Sequence, residues 1–259
     1  MSDWEVPARF RPEPPFGDLN AGTMRPLTRR ILRRLLLTLF KLFAGFRIEG
    51  LTHVPATGPF ILISNHLHNF DPLMTQTSMT RNCHFFTKQE AFRVPVFRAI
   101  ARWSGGFPVD RGKPDRWAIR RAEAALEQGI AVGIYPEGTR STTLGLQKGF
   151  AGAGLLALRS GVPIIPSTIT GSERLPFNGK KGKLRAGMKQ PDPGHEGVLV
   201  RFGEPFFVPR ELDGKRLSAD EATDLMMIEL ARMLPADYRG VYADRVDSAP
   251  SLPRLQAPS

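Results

Sequence analysis

The chain has 259 residues and a formal charge of +11 at neutral pH, enough length for one large α/β domain with a full core. Its single cysteine, Cys83, excludes an intrachain disulfide and fits a reducing compartment. The excess of Lys and Arg selects polyanionic partners: nucleic acid, anionic lipid, phosphorylated metabolites or an acidic carrier protein.

Residues 1–24 carry Pro7, Pro12, Pro14 and Pro15 with little periodicity and are expected to form an extended or disordered arm. They hold no apolar run near Met1, so no cleavable signal peptide is expected. Residues 25–47 read as a basic amphipathic helix. Arg30, Arg33, Arg34, Thr38 and Lys41 fall on one face, with Leu32, Leu35, Leu36, Leu39, Phe40, Phe43 and Phe46 largely on the other. No acid compensates the arginines, and the pattern suits the headgroup layer of an anionic membrane, where each cation contributes roughly 1 kcal/mol. An ordinary helix packed on the core is the alternative. No stretch approaches the roughly 18 uninterrupted apolar residues of a membrane span.

From residue 48 strands and helices alternate. Strands are predicted at 60–64, 83–87, 130–135, 162–170 and 198–202. Helices are predicted at 72–79, 93–103, 114–128, 149–160 and 218–234, the last with Ser218 and Glu221 in capping-box spacing. Residues 179–197 read as a basic, glycine-rich loop. The expectation is a single domain over 48–240 with a mostly parallel, helix-covered sheet. A tail over 241–259, rich in Pro and Ser from Asp247, is expected to be disordered.

Four blocks carry the chemistry. In Asn65-His66-Leu67-His68-Asn69-Phe70-Asp71, His66 and Asp71 are about 500° apart on an ideal helix and would not share a face. They can meet across a turn, where Asp71 would fix the imidazole tautomer and leave the other nitrogen to accept a proton. His66 and His68 could form a metal pair, but no further ligands stand at familiar spacing, so no metal is expected. In Gly106-Phe107-Pro108-Val109-Asp110-Arg111, Arg111 suits a bidentate phosphate contact; pairing with Asp110 or Asp115 is the plainer alternative. The third block runs Tyr135-Pro136-Glu137-Gly138-Thr139-Arg140-Ser141. It puts amides, hydroxyls and a guanidinium on a sharp turn suited to an anion. Glu137 could bond a substrate hydroxyl, orient Arg140, or simply pair with it. Lys148 could add a second cation. The fourth block is the apolar Val162-Pro163-Ile164-Ile165-Pro166. No Gly-x-Ser-x-Gly elbow or Walker A loop occurs. Gly152-Ala153-Gly154 reads as close helix packing. The basic loop lacks interleaved aromatics, so no nucleic-acid partner is expected.

In this order and spacing the blocks resemble the glycerophospholipid acyltransferase family, which includes the 1-acylglycerol-3-phosphate and glycerol-3-phosphate acyltransferases. The resemblance spans roughly residues 48–205 and includes Thr87-Lys88-Gln89-Glu90 and Arg201-Phe202-Gly203-Glu204-Pro205. It implies that His66 is the catalytic base and Asp71 its partner. Arg111 would bind the acceptor phosphate, Glu137, Gly138, Thr139 and Arg140 would shape the acceptor site with Lys148 beside them, and the 162–166 strand would line a pocket. Family members commonly carry serine where this chain has His68. The implied reaction moves an acyl chain from acyl-CoA or an acyl carrier protein to the free hydroxyl of 1-acylglycerol-3-phosphate, giving phosphatidic acid in phospholipid biosynthesis. The implied place is the cytoplasmic face of the membrane, held peripherally, with no cofactor. Glycerol-3-phosphate or another lysolipid as acceptor, or a catalytically silent membrane-binding protein, are the alternatives.

Overall fold

The structure is a computed structural model in which residues 18–19, 26–88, 98, 105–109, 115–176 and 197–255 are described. The predicted helix at 93–103 and the basic loop at 179–197 lie outside them apart from Arg98 and Gly197, as does the arm over 1–24 apart from Asp18 and Leu19. Leu19 is buried and donates its N–H to Gln128 Oε1 at 3.0 Å, so the arm is anchored at that point.

The elements are α1 (Pro26–Ala44), β1 (Arg47–Glu49), β2 (Ile61–Ser64), α2 (Asp71–Ser78), β3 (Cys83–Lys88), β4 (Phe107–Val109), α3 (Arg116–Glu127), β5 (Ala131–Ile134), α4 (Gly152–Ser160), β6 (Ile164–Thr170), β7 (Leu199–Phe202), the short hairpin β8 (Glu211–Leu212) and β9 (Lys215–Arg216), and α5 (Ala219–Met233). The main sheet runs β1-β7-β6-β2-β5-β3-β4. The five strands from β6 to β4 are parallel; β7 is antiparallel to β6, and β1 runs with β7.

The central strands are apolar runs because both faces are covered. Alternation sorts their side chains. Ile61, Ile63, Val132, Ile134 and Ile164 join the core built with α3, α4 and α5. Phe60, Leu62, Ala131, Ile165 and Ile169 join the core beneath α2, against which Leu37, Phe40 and Ala44 of α1 pack. Cys83 is fully buried there, and burial pushes its thiol well above the usual range, as suits a packed residue.

Local chemistry sets the helix ends. Ser218 and Glu221 form the capping box of α5, with Ser218 N donating to Glu221 Oε2 at 2.8 Å and Glu221 N to Ser218 Oγ at 3.2 Å. Asp115 Oδ1 accepts Ala118 N at 2.9 Å and caps α3. Gly154 lets α4 meet α5: a Cβ there would stand 2.1 Å from the Ala219 carbonyl oxygen.

Two expectations change. Arg33 leaves the cationic face of α1: its Nε donates to Met79 O at 2.8 Å and its Nη2 to Ser78 O at 3.2 Å, satisfying carbonyls where α2 ends. The tail expected to be disordered over 241–259 is folded as far as residue 255. A 3-10 segment covers Gly240–Arg245, and Tyr242, Val246 and Leu252 are buried. Arg232 Nη2 donates to Ala249 O at 2.6 Å, Phe207 N to Pro253 O at 2.8 Å, and Leu255 N to Pro205 O at 3.0 Å. Arg232 and Arg254 both bond Glu229, which is itself buried. The anchors fall at irregular intervals through a 3-10 segment, turns and an extended end, so neither helical nor strand periodicity reveals them. Leu252→Ala is expected to lower stability by about 2 kcal/mol or more, as for buried leucines elsewhere, in urea titrations; an unchanged midpoint would mean that the tail is not packed.

Candidate active site

The carboxyl ends of the parallel strands share one edge, where open α/β sheets form their sites. At the end of β2, residues 65–70 are not helical, and α2 begins at Asp71. The five-residue separation is therefore spanned by a turn. His66 Nδ1 lies 3.0 Å from Asp71 Oδ2, and the same oxygen accepts Leu67 N and His68 N, each at 2.6 Å. Asp71 is fully buried, and its Oδ1 has no hydrogen-bond partner among the described residues. A carboxylate accepting from Nδ1–H fixes that tautomer and places the imidazole lone pair on Nε2.

Neighbouring strands hold His66 in place. The Asn65 side chain spans to β6, with Nδ2 donating to Ile169 O and Oδ1 accepting Ile169 N, both at 2.8 Å. The His66 ring lies 4.4 Å from that of Tyr135, which follows β5. His66 O accepts Ser141 N at 2.7 Å, and His66 N donates to Glu137 Oε1 at 3.1 Å.

Glu137 departs from its expected role. It is 2 % exposed, and its second oxygen accepts Gln147 N at 2.9 Å. Both oxygens are committed to backbone N–H groups, so Glu137 ties the His66 turn to the loop after β5 rather than facing a substrate hydroxyl. No Glu137–Arg140 ion pair occurs among the described residues. Arg140 is half-buried and within electrostatic reach of Asp71; burial lowers its guanidinium from the ordinary value and Asp71 acts the other way. Gly138 turns the chain at φ +64°, where a Cβ would press within 2.8 Å of the Phe150 ring. Thr139 and Lys148 are exposed. Arg111 lies outside the described residues, beyond the carboxyl end of β4. In the 162–166 strand Val162, Ile164 and Ile165 are buried in the two cores.

His68 is buried and braces the turn. Its Nδ1 accepts Phe70 N at 3.1 Å, so its Nε2–H donates to Pro176 O at 3.1 Å. Both nitrogens serve the backbone, and burial lowers its pKa, keeping the ring neutral. Asn65, Ser141 and Gln147 also position the site and stand outside the predicted set. Asn65 adjoins His66 in sequence, which was the available signal. Gln147 lies ten residues from Glu137, and its contribution is a backbone N–H that any residue but proline supplies.

A sequence profile of the acyltransferase family matches residues 45–170, the stretch holding His66, Asp71 and the Glu137 turn. The candidate site therefore lies within a stretch similar in sequence to the acyltransferase family. A chloroplastic 1-acyl-sn-glycerol-3-phosphate acyltransferase of Arabidopsis thaliana is 30% identical over 148 residues, 56% of this chain and 41% of that protein. The mouse 1-acyl-sn-glycerol-3-phosphate acyltransferase alpha is 32% identical over 139 residues, 51% of this chain and 48% of that one. The Bacillus subtilis 1-acyl-sn-glycerol-3-phosphate acyltransferase is 26% identical over 155 residues, 59% of this chain and 76% of its own. The chain thus spans less than half the length of the Arabidopsis and mouse relatives. In fold it is similar to the crystal structure of a 1-acyl-sn-glycerophosphate acyltransferase from Thermotoga maritima, with a TM-score of 0.59, 20% identity and 82% of each chain covered.

At this site burial pushes the Glu137 carboxyl up to about 8, against the pull of the Gln147 and His66 N–H donors and with a further push from Asp71. Unfolded, the group titrates near 4.5. Between those values the folded chain binds more protons than the unfolded one, so this group's contribution to stability is lost as pH rises through the window. Glu137→Gln lacks the titration. Denaturation of both proteins across the window is expected to show the wild type's advantage shrinking steadily as pH rises; a constant difference would place the Glu137 titration elsewhere.

Proposed function

We propose that this protein transfers an acyl chain from an acyl thioester to the free hydroxyl of 1-acylglycerol-3-phosphate, giving phosphatidic acid. The observation that carries the reading is the buried His66–Asp71 pair at the carboxyl edge of the sheet, within a stretch similar to the acyltransferase family, with its tautomer set by the 3.0 Å contact. In this reading His66 Nε2 takes the proton of the acceptor hydroxyl as that oxygen attacks the thioester carbonyl. The tetrahedral intermediate collapses with loss of the C–S bond, and the imidazolium returns its proton to the departing thiolate. An ester forms and a thioester breaks without electron transfer, so the chemistry calls for no redox cofactor. Arg140 is the half-buried described cation near Asp71. It would meet the acceptor's phosphate together with Lys148 and, from the sequence, Arg111. Acyl-CoA and acyl carrier protein are both acidic donors suited to a chain of charge +11. The names of the Arabidopsis, mouse and Bacillus relatives support the choice of acceptor.

The geometry of α1 supports work at an anionic membrane surface, and the sequence supports its cytoplasmic face. No described helix is long and apolar enough to cross a membrane. One side of α1 packs on the domain through Arg33, Leu37, Phe40 and Ala44. A second side leaves Leu27, Ile31, Leu35, Leu39, Leu42 and Phe43 exposed, Phe43 by 77%. At 100° per residue, Arg30, Arg34 and Lys41 border that stripe. Arg33 meets the end of α2 and Ala44 meets Val198 N at 2.9 Å, so α1 runs toward the edge that bears His66. There Phe43, Ala44 and Gly45 line an open surface hollow of about 400 Å³ together with Gly171, Arg174, Leu175, Gly197 and Val198. An apolar stripe with flanking cations is the form of a helix lying in the headgroup layer.

Thiol release from palmitoyl-CoA, with and without lysophosphatidate in liposomes, tests the reaction. Acceptor-dependent release that falls by at least about 10²-fold in folded His66→Ala is expected. Normal turnover by that variant would remove the general-base assignment. No release from the wild type with either donor and any lysolipid would favour a silent membrane-binding protein. For α1, the double change Leu35→Lys and Leu42→Lys is expected to cut binding to phosphatidylglycerol-containing vesicles by about tenfold or more, two buried apolar side chains being worth that much at the interface. Cosedimentation reads this, and unchanged binding would show that α1 does not meet the bilayer.

A further inference from the structure

We propose that Tyr238, in the C-terminal segment beyond the family match, is a positioning residue for His66 and acts on it from two sides. The inference rests on the reading of His66 as the base.

Tyr238 has no exposed surface and bonds two segments other than its own. Its hydroxyl donates to Glu173 Oε1 at 3.0 Å, and its carbonyl accepts Leu146 N at 3.0 Å. The first bond begins a path through the turn after β6. Glu173 lies in the 3-10 segment Ser172–Arg174, three residues before Pro176, whose carbonyl accepts from His68 Nε2; His68 N in turn donates to the Asp71 oxygen that His66 contacts. The second bond begins a path through the loop after β5. Leu146 precedes Gln147, whose N–H bonds Glu137 Oε2, and Glu137 Oε1 accepts His66 N. One path reaches the imidazole's carboxylate partner and the other the histidine backbone.

A phenylalanine would fill the same volume, so the hydroxyl needs its own reason. Glu173 is buried, and its Oε2 has no hydrogen-bond partner among the described residues. Arg174 Nε stands 4.0 Å from Oε1. Besides the backbone N–H of Glu173 itself, the tyrosine hydroxyl is the short contact holding this carboxyl, and the one that ties it to another segment. Without it the buried carboxyl loses its partner from the C-terminal segment and is under-satisfied in the interior, a state that drives a loop to rearrange. The second path begins at a backbone carbonyl and relies on the segment staying in place: Val241 N donates to Leu146 O at 3.1 Å, and Gly240 packs so closely on Gly145 that a Cβ on Gly145 would stand 2.6 Å from the Gly240 Cα.

The test compares Tyr238→Phe, Glu173→Gln and their double variant with Ser160→Ala, which removes a buried hydroxyl bonded within α4. In each, the His66 imidazole signals are followed by nitrogen-15 histidine NMR, assigned by their loss in His66→Ala, and kinetics are measured for both substrates. Tyr238→Phe and Glu173→Gln are expected to move the His66 signals and to lower kcat by about tenfold or more, since small misplacements of reacting groups cost that much. Each KM is expected to stay within about twofold, and the double variant to be no worse than either single one, as for two ends of one bond. Ser160→Ala is expected to keep the His66 signals and kcat even if it melts earlier. Unmoved His66 signals in Tyr238→Phe, or an equal loss of kcat in Ser160→Ala at equal loss of stability, would overturn the proposal. If the protein shows no acyl transfer at all, the NMR arm still decides the positioning role, and the reaction assignment falls separately.

Discussion

Everything at the candidate site hangs on one carboxylate oxygen. Asp71 Oδ2 collects the N–H groups of Leu67 and His68 and the Nδ1 of His66. A helix through residues 66–71 could not do this, because its amides would point along the axis to carbonyls four residues back and the two side chains would lie on different sides. The turn exists because Asp71 rewards it with three bonds, and α2 begins where the turn ends. Asp71 also sits in the first turn of α2, where the helix dipole favours negative charge. The element that creates the site and the element that follows it are thus specified by the same side chain.

Around that oxygen the protein accepts groups that a purely structural core would avoid. Glu137 and Glu173 are buried carboxyls, and burial raises both above the ordinary carboxylate value. Taking a carboxylate out of water costs several kcal/mol before compensation, and the compensation differs. Glu137 has two backbone donors, one from each segment it joins. Glu173 has its own backbone N–H, the Tyr238 hydroxyl and a distant guanidinium. Leucines would hold these loops at less cost but could not fix the direction of a backbone N–H. The expense is intelligible if the direction of the His66 ring matters more than loop stability.

Sequence reading captured what repeats and missed what does not. The strands were legible because alternation sorts Ile61 and Ile63 from Phe60 and Leu62, and apolar runs bounded by glycine and proline mark their ends. The capping box of α5 and the small residues of α4 were legible because each rests on a local rule with a fixed spacing. His66 and Asp71 could be paired because a turn was the single local geometry that let them meet. Glu137 was misread because the same residue in the same turn can face outward to a ligand or inward to two amides, and the choice depends on a loop ten residues away. Arg33 was misread because helical periodicity reports an angle about the axis, not what stands at that angle; here it is the open end of α2. The C-terminal segment was missed because Tyr238, Tyr242, Val246 and Leu252 are anchors on a chain with no period.

The three-sided character of α1 follows from the same limit. A two-faced reading divides the helix into basic and apolar halves, but its apolar residues span far more than the side that touches the domain. Leu37, Phe40 and Ala44 are used in packing, while Leu27, Ile31, Leu35, Leu42 and Phe43 stay in contact with solvent. Exposed apolar side chains scattered singly need no explanation, but five along one helix face form a contiguous patch. At about 25 cal/mol per Å² of apolar surface, covering such a patch yields several kcal/mol, and the flanking Arg30, Arg34 and Lys41 favour an anionic cover. Arg33 then has a second role. By tying α1 to the end of α2 it fixes which stripe faces outward, so any surface that covers the patch meets the domain in one orientation, with the His66 edge beside the end of the helix.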